Sequence, residues 1–150
     1  MDGLDELRQG LDRMQRMLGS RRIQSRLTEV SGVELSQQAI QVLRVLPEGA
    51  QYPVADVARR ARMDVGAVSR QLRSLEAEGL VVRTSSPDHG SVVLVRATDA
   101  GVMALRHVED VQRRHLHDAL GAWSDEQRAE LGRQMSRLVE DLQRTPYRRP

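Results

Sequence analysis

Between Val54 and Gly101 three patterns follow one another without a linker, and few folds accommodate them in that order. Val54, Val57, Ala58 and Ala61 recur with helical spacing over residues 54–62. Met63-Asp64 interrupts the pattern, and Asp64 is a favourable N-cap for a second helix starting at Val65. There Val65, Val68, Leu72 and Leu75 fall on one side, while Gly66, Arg70, Arg73 and Ala77 point the opposite way. Gly79 stops this helix. Two β-branched runs, Leu80 to Thr84 and Val92 to Ala97, then flank the turn-forming segment 85–91. The order is that of a helix-turn-helix followed by a β-hairpin wing, an arrangement that can read a DNA duplex.

The flanking sequence is helical. Leu4, Leu7, Leu11, Met14 and Leu18 are spaced 3, 4, 3, 4 and form a heptad seam. Gly19-Ser20 interrupts it, and Ile23, Leu27 and Val30 extend the apolar face. Such a narrow seam needs a partner surface, either elsewhere on its own chain or on a second subunit. Ser36 can cap a helix running to about Leu46, with Ile40, Leu43 and Val42 or Leu46 inward, and Pro47-Glu48-Gly49 ends it. Gln51-Tyr52-Pro53 is long enough only for a small strand beside the wing. Thr98 can cap a helix over roughly 99–120. Ser124 and Gln127 have capping-box spacing for a last helix to about Arg144, with Leu131, Met135, Leu138 and Leu142 as its inward face. The tail from Pro146 to Pro150 is expected to fray.

All 23 basic residues are arginine, and Lys, Asn and Phe are absent. Those three types share A/T-rich codons, so the bias reflects G+C-rich coding DNA of a bacterial kind. Its physical consequence is a surface of planar guanidinium forks that match phosphates and guanine edges. The net charge of +2 comes entirely from residues 54–97, which hold seven Arg against five acids. No apolar run is long enough to cross a bilayer, and the acidic opening M-D-G-L-D-E-L is unlike a secretory signal. A soluble, cytoplasmic chain without membrane contact is expected. With no cysteine, disulfides and thiol redox sensing are excluded.

Arg70 and Arg73 are the candidate groove-reading residues, with Gly66 and Ala67 small enough to allow close approach to base edges. Ser69 either contacts phosphate or fills the shoulder of the helix. Arg59, Arg60 and Arg62 are candidates for backbone phosphate, at least one of them being an ordinary surface charge. His115 and His117 diverge by about 200° on a helix, and His107 lies two turns from His115. No metal site and no cofactor are expected. Trp123 and Tyr52 read as packing residues. No Cys nucleophile, Gly-rich phosphate loop or Ser–His–Asp relay appears, so an enzyme is not expected.

The run V-S-R-Q-L-R-S-L-E-A-E-G-L-V from Val68 to Val81, followed by V-L-V-R-A-T-D-A-G from Val93 to Gly101, resembles the MarR family of transcriptional regulators. The resemblance extends over roughly residues 4–145. It implies a mainly α fold with a small β-hairpin wing. Residues 36–98 would form the winged helix-turn-helix, and 1–35 with 99–150 a helical dimerisation region of the same continuous domain. It implies a homodimer using Leu4, Leu7, Leu11, Met14, Leu131, Met135, Leu138 and Leu142. The partner would be double-stranded DNA carrying a pseudo-palindromic operator. Many relatives are repressors released by small aromatic or amphipathic effectors or by oxidation, and the cysteine route is closed to this chain. The family's wing tip usually reads D-x-R, but here it is Asp88-His89-Gly90, with glycine in place of the minor-groove arginine. His89, Arg83 or Arg96 would have to supply the wing's contacts. Asp64 completes the expected DNA-binding set. The contrasting reading is a winged helix serving as a protein-interaction or nucleoid-type module without operator reading.

Overall fold

The computed structural model describes residues 2–148. They form two compact units, 1–112 and 113–150 when bounded along the whole chain, with the boundary inside one long helix. The last two residues of the tail expected to fray lie outside the described residues, and Pro146–Arg148 carry neither helix nor strand.

In the first unit, α1 (Gly3–Leu18) starts where Asp2 accepts hydrogen bonds from the amides of Leu4 and Asp5. Gly19-Ser20 separates it from α2 (Arg21–Ser31), which ends on Gly32 in the left-handed region (φ 68°). The heptad seam from Leu4 to Leu18 therefore lies wholly on α1, and its apolar extension on α2. Leu27 packs against the core, whereas Val30 is 64% exposed and leaves the expected apolar face.

Next comes α3 (Gln37–Arg44), capped by Ser36, whose hydroxyl accepts from the Ala39 amide at 3.0 Å. Ile40, Val42, Leu43 and Leu46 are all buried, although the helix ends two residues before Leu46. Strand β1 (Gln51–Pro53) leads directly into α4 (Val54–Ala61). Arg62 then takes a left-handed backbone (φ 53°), turning the chain towards α5 (Val65–Ala77). Asp64 caps α5 by accepting from the Ala67 amide at 2.8 Å. Its other end is a Schellman turn: Gly79 adopts φ 72°, its amide donates to Glu76, and the Leu80 amide donates to Leu75.

The hairpin is β2 (Val81–Ser85) and β3 (Val93–Ala97). Strand order is β1-β3-β2, antiparallel throughout, with Val82 and Gln51 both opposite Arg96, and Arg83 and Tyr52 both opposite Val95. The small strand expected beside the wing is thus β1. One apolar core joins α3, α4, α5 and the sheet through residues such as Val57, Val68, Leu72, Val81 and Val95.

Helix α6 (Asp99–Ala119) is anchored tightly at its start. The Thr98 hydroxyl donates to the Gly79 carbonyl at 2.7 Å and accepts from the Gly101 amide at 3.1 Å. The Thr98 amide donates to the Leu80 carbonyl at 3.0 Å. A Cβ on Gly101 would lie 2.0 Å from that same carbonyl oxygen, so no side chain fits there. Val108 of α6 enters the core, and Arg44 bridges to Glu109 at 3.0 Å and Gln112 at 3.1 Å.

In the second unit, Arg128 donates to the Leu120 carbonyl from Nε at 3.2 Å and from Nη2 at 2.9 Å, and the same carbonyl accepts from the Trp123 amide at 2.9 Å. The expected capping box at Ser124 and Gln127 is formed, and it opens α7 (Asp125–Arg144). No residue of α7 is buried. The face expected to be inward is half-buried at Leu138 and exposed at Leu131, Met135 and Leu142. Its spacing is that of an amphipathic helix, but within one chain the stripe stays uncovered. Among the described residues no helix is long and apolar enough to cross a membrane.

Candidate nucleic-acid interface

The interface candidate is the free side of α5, the recognition helix. Val68, Leu72 and Leu75 hold its other side in the core, which fixes the rotation of the helix. Gly66, Arg70, Arg73 and Ala77 are exposed, as their spacing predicts. Arg70 turns back along the helix, as long helical side chains do. Its Nη1 lies 3.6 Å from the point a Cβ on Gly66 would occupy. The guanidinium therefore rests level with the first turn. Arg73 makes only a long contact, Nε to the Ser69 carbonyl at 3.5 Å. Ser69 is half-buried at the shoulder.

Two small residues were expected on this surface, and one is absent from it. Ala67 is 5% exposed and turns inward, while Val65, expected inward, is 51% exposed. Taking about 100° per residue, Val65 lies about 50° from the middle of the arc formed by Val68, Leu72 and Leu75, and Ala67 about 110° from it. Spacing alone ranks Val65 as the inward residue; packing of α5 against its neighbours reverses that order. Asp64 is exposed and caps the helix through Oδ1, which accepts from the Ala67 amide at 2.8 Å.

The wing arginines separate. Cross-strand partners share a face, so Arg83 lies with Val95 on one face and Arg96 with Val82 on the other. Arg83 Nε donates to Glu76 Oε2 at 3.0 Å, and Nη2 donates to the same oxygen. That hydrogen bond holds the Glu76 carboxyl below its ordinary range and raises the Arg83 guanidinium above its own. Arg83 is thus tied to α5 rather than extended for phosphate. Arg96 is exposed, with a long contact to the Ala97 carbonyl. His89 is exposed at the hairpin tip, where its carbonyl accepts from Val92 at 2.8 Å. Gly90 has open space around it.

The helix before the turn offers fewer free cations than the sequence suggests. Arg59 pairs with Asp56 at 3.1 Å, and the Arg60 guanidinium sits 4.0 Å from the centre of the Tyr52 ring. Tyr52 is accordingly a packing residue of β1. These engagements, like the Glu76–Arg83 bond, depend on which residues meet across elements, which the linear pattern does not carry. Among the described residues no group of three or more His, Cys, Asp or Glu side chains could hold a metal ion.

Comparison with known proteins agrees with this architecture. A family model, that of the MarR family, matches residues 31–90, from the end of α2 to the wing tip. The uncharacterised HTH-type transcriptional regulator YdgJ of Bacillus subtilis is 29% identical over 94 residues, 63% of this chain and 57% of YdgJ. The chain thus matches little more than half the length of that relative. The HTH-type transcriptional repressor IacR of Pseudomonas putida is 21% identical over 111 residues, 74% of this chain and 66% of IacR. Among solved structures, Streptococcus pneumoniae FabT in complex with DNA superposes with a TM-score of 0.71 at 17% identity, covering 95% of this chain and 98% of FabT. Those families of matches are regulators, not enzymes. The helix pair, the three-stranded wing and the matched segment coincide: over residues 31–90 the chain is similar to the MarR family, and its fold is that of the winged helix-turn-helix structures it superposes on.

Proposed function

We propose that the protein is a homodimeric, sequence-specific repressor in the cytoplasm that places two copies of α5 in successive major grooves of a pseudo-palindromic operator. The observation that carries this reading is the free side of α5. Two arginines with no carboxylate partner follow a residue without a side chain along one face of a helix whose rotation the core fixes. Guanidinium forks accept no hydrogen bond and suit guanine N7 and O6. The named function of IacR and the bound DNA of FabT support the same reading by kinship. Dimerisation is supported separately by the exposed stripes of Leu4 and Leu7 on α1 and of Leu131, Met135 and Leu142 on α7.

We infer that a small amphipathic effector, if one releases the protein from DNA, would bind at the surface groove between α2 and the start of α3. A groove of about 490 Å³ is lined by Gln24, Thr28, Glu29, Glu34, Leu35 and Ser36. The Ser36 hydroxyl lies 3.0 Å from Gln71 Oε1, and Gln71 Nε2 donates to Gln38 at 3.0 Å. A ligand that draws Ser36 away would loosen a contact of α5.

The test is an electrophoretic shift with duplex DNA from upstream of the protein's own gene, across a salt series. Specific retardation that weakens steeply with salt supports the proposal. The double variant Arg70→Ala/Arg73→Ala should stay folded and dimeric but lose sequence preference, each bidentate arginine–guanine pair supplying about 1–3 kcal/mol of discrimination. A second reading, an interaction module without operator recognition, draws on the bare Gly90 and the committed Arg83. It is favoured if no duplex is retarded even at low salt.

A further inference from the structure

Val65 is the first residue of α5 and an aliphatic side chain facing solvent, in a helix whose other large apolar residues are all buried. A lone exposed valine is ordinary on a protein surface. This one is set apart by its position and its neighbours. The N-terminal turn of a recognition helix is the part that meets base edges. Gly66 beside it has no side chain and Ser69 one turn on is short, and Val65 itself is 51% exposed. A β-branched side chain is also stiff at χ1, so the methyls are presented in a fixed place.

The Arg70 guanidinium completes the arrangement. Five residues on a helix span about 7.5 Å along the axis, but Arg70 folds back until its Nη1 is level with Gly66. An apolar group and a guanidinium fork therefore stand beside Gly66, with Asp64 Oδ1 also 3.2 Å from the point its Cβ would occupy. In the major groove the apolar feature among the base edges is the thymine 5-methyl group, and the feature matching a fork is guanine N7 with O6. We propose that Val65 reads a thymine methyl group adjacent to, or one pair removed from, the guanine taken by Arg70. The inference rests on the proposed operator recognition and adds the second base and the residue that selects it.

The experiment uses the full-length protein to select duplexes from a random pool. Each thymine of the enriched duplex is then replaced singly by deoxyuridine, which removes the methyl group and keeps the pairing. For the wild type, one replacement per half-site should weaken binding about fourfold, the effect of exposing one buried methyl, next to or one pair from a guanine. Val65→Ala should bind the thymine and uracil duplexes equally. Because Val65 is exposed, this variant keeps the core intact, and the uracil series on the wild type needs no variant at all. If every uracil is tolerated, or if the penalty persists in Val65→Ala, the inference is overturned while operator recognition stands. If no duplex is enriched, both fall.

Discussion

Arg83 on β2 gives both its Nε and its Nη2 hydrogen bonds to a single oxygen of Glu76 on α5. A side-chain bond thereby joins the wing to the recognition helix, beyond the shared core. It also withholds from DNA a cation that the linear sequence offers as available, and it places an acid near the reading surface.

Glu76→Gln should loosen this joint and free the guanidinium. The expected result is tighter, less selective DNA binding, with the log–log salt slope steeper by about 0.9 if Arg83 gains one phosphate. Titration of DNA by fluorescence anisotropy at several salt concentrations measures both quantities. An unchanged slope would mean that Arg83 stays out of reach of phosphate even when released.

The same pair predicts a pH effect. The Glu76 carboxyl is held below its ordinary value of 4.5 by the hydrogen bond from Arg83. A depressed carboxylate contributes stability above its unfolded pKa and loses it as pH falls through the folded value. Protection of the β2 amides, relative to their intrinsic exchange rates, should therefore fall below about pH 4.5 in the wild type, more than in Glu76→Gln. The pair is exposed to water, so the effect is local to the hairpin.

Gly101→Ala should destabilise the protein by about 3 kcal/mol. The added Cβ would meet the Leu80 carbonyl, a backbone group already accepting from the Thr98 amide, and neither can move alone. Chemical denaturation monitored by circular dichroism reads the loss directly. A change under 1 kcal/mol would show that α6 can shift along the wing root at little cost.

Gly90→Arg tests the unadorned wing tip. The position has room for a side chain and no left-handed backbone requirement. The variant should bind DNA more tightly and add about 0.9 to the salt slope for a phosphate contact. Unaltered affinity would place the tip away from the duplex.

Leu131→Asp/Met135→Asp should leave α7 helical but raise the dimer dissociation constant by roughly three orders of magnitude, given the apolar surface these residues would bury between copies. Sedimentation velocity distinguishes monomer from dimer. A dimer of undiminished stability would move the interface away from this stripe.

Much of this fold could be read along the chain because it rests on local chemistry. The caps at Ser36, Asp64 and Ser124, the stop at Gly79 and the period of Val68, Leu72 and Leu75 are each decided within a few residues. The small strand at Tyr52 was legible for the same reason, since Pro53 confines it to an edge. What escaped was decided by partners distant in sequence. By spacing Val65 lies nearer the buried arc than Ala67, yet the packing of α5 buries Ala67 and exposes Val65. Arg83 and Arg60 are free cations until Glu76 and Tyr52 come beside them. The stripe on α7 has a clear period, but periodicity does not say what will cover it.

The cap at Asp64 has one more consequence. The positive end of the α5 dipole is already neutralised by a carboxylate of the chain itself. A sugar–phosphate strand approaching head-on would meet a like charge there instead of an inviting ring of amides. If α5 enters a groove as proposed, phosphate contacts would fall to the guanidinium groups beside the helix rather than to its first amides.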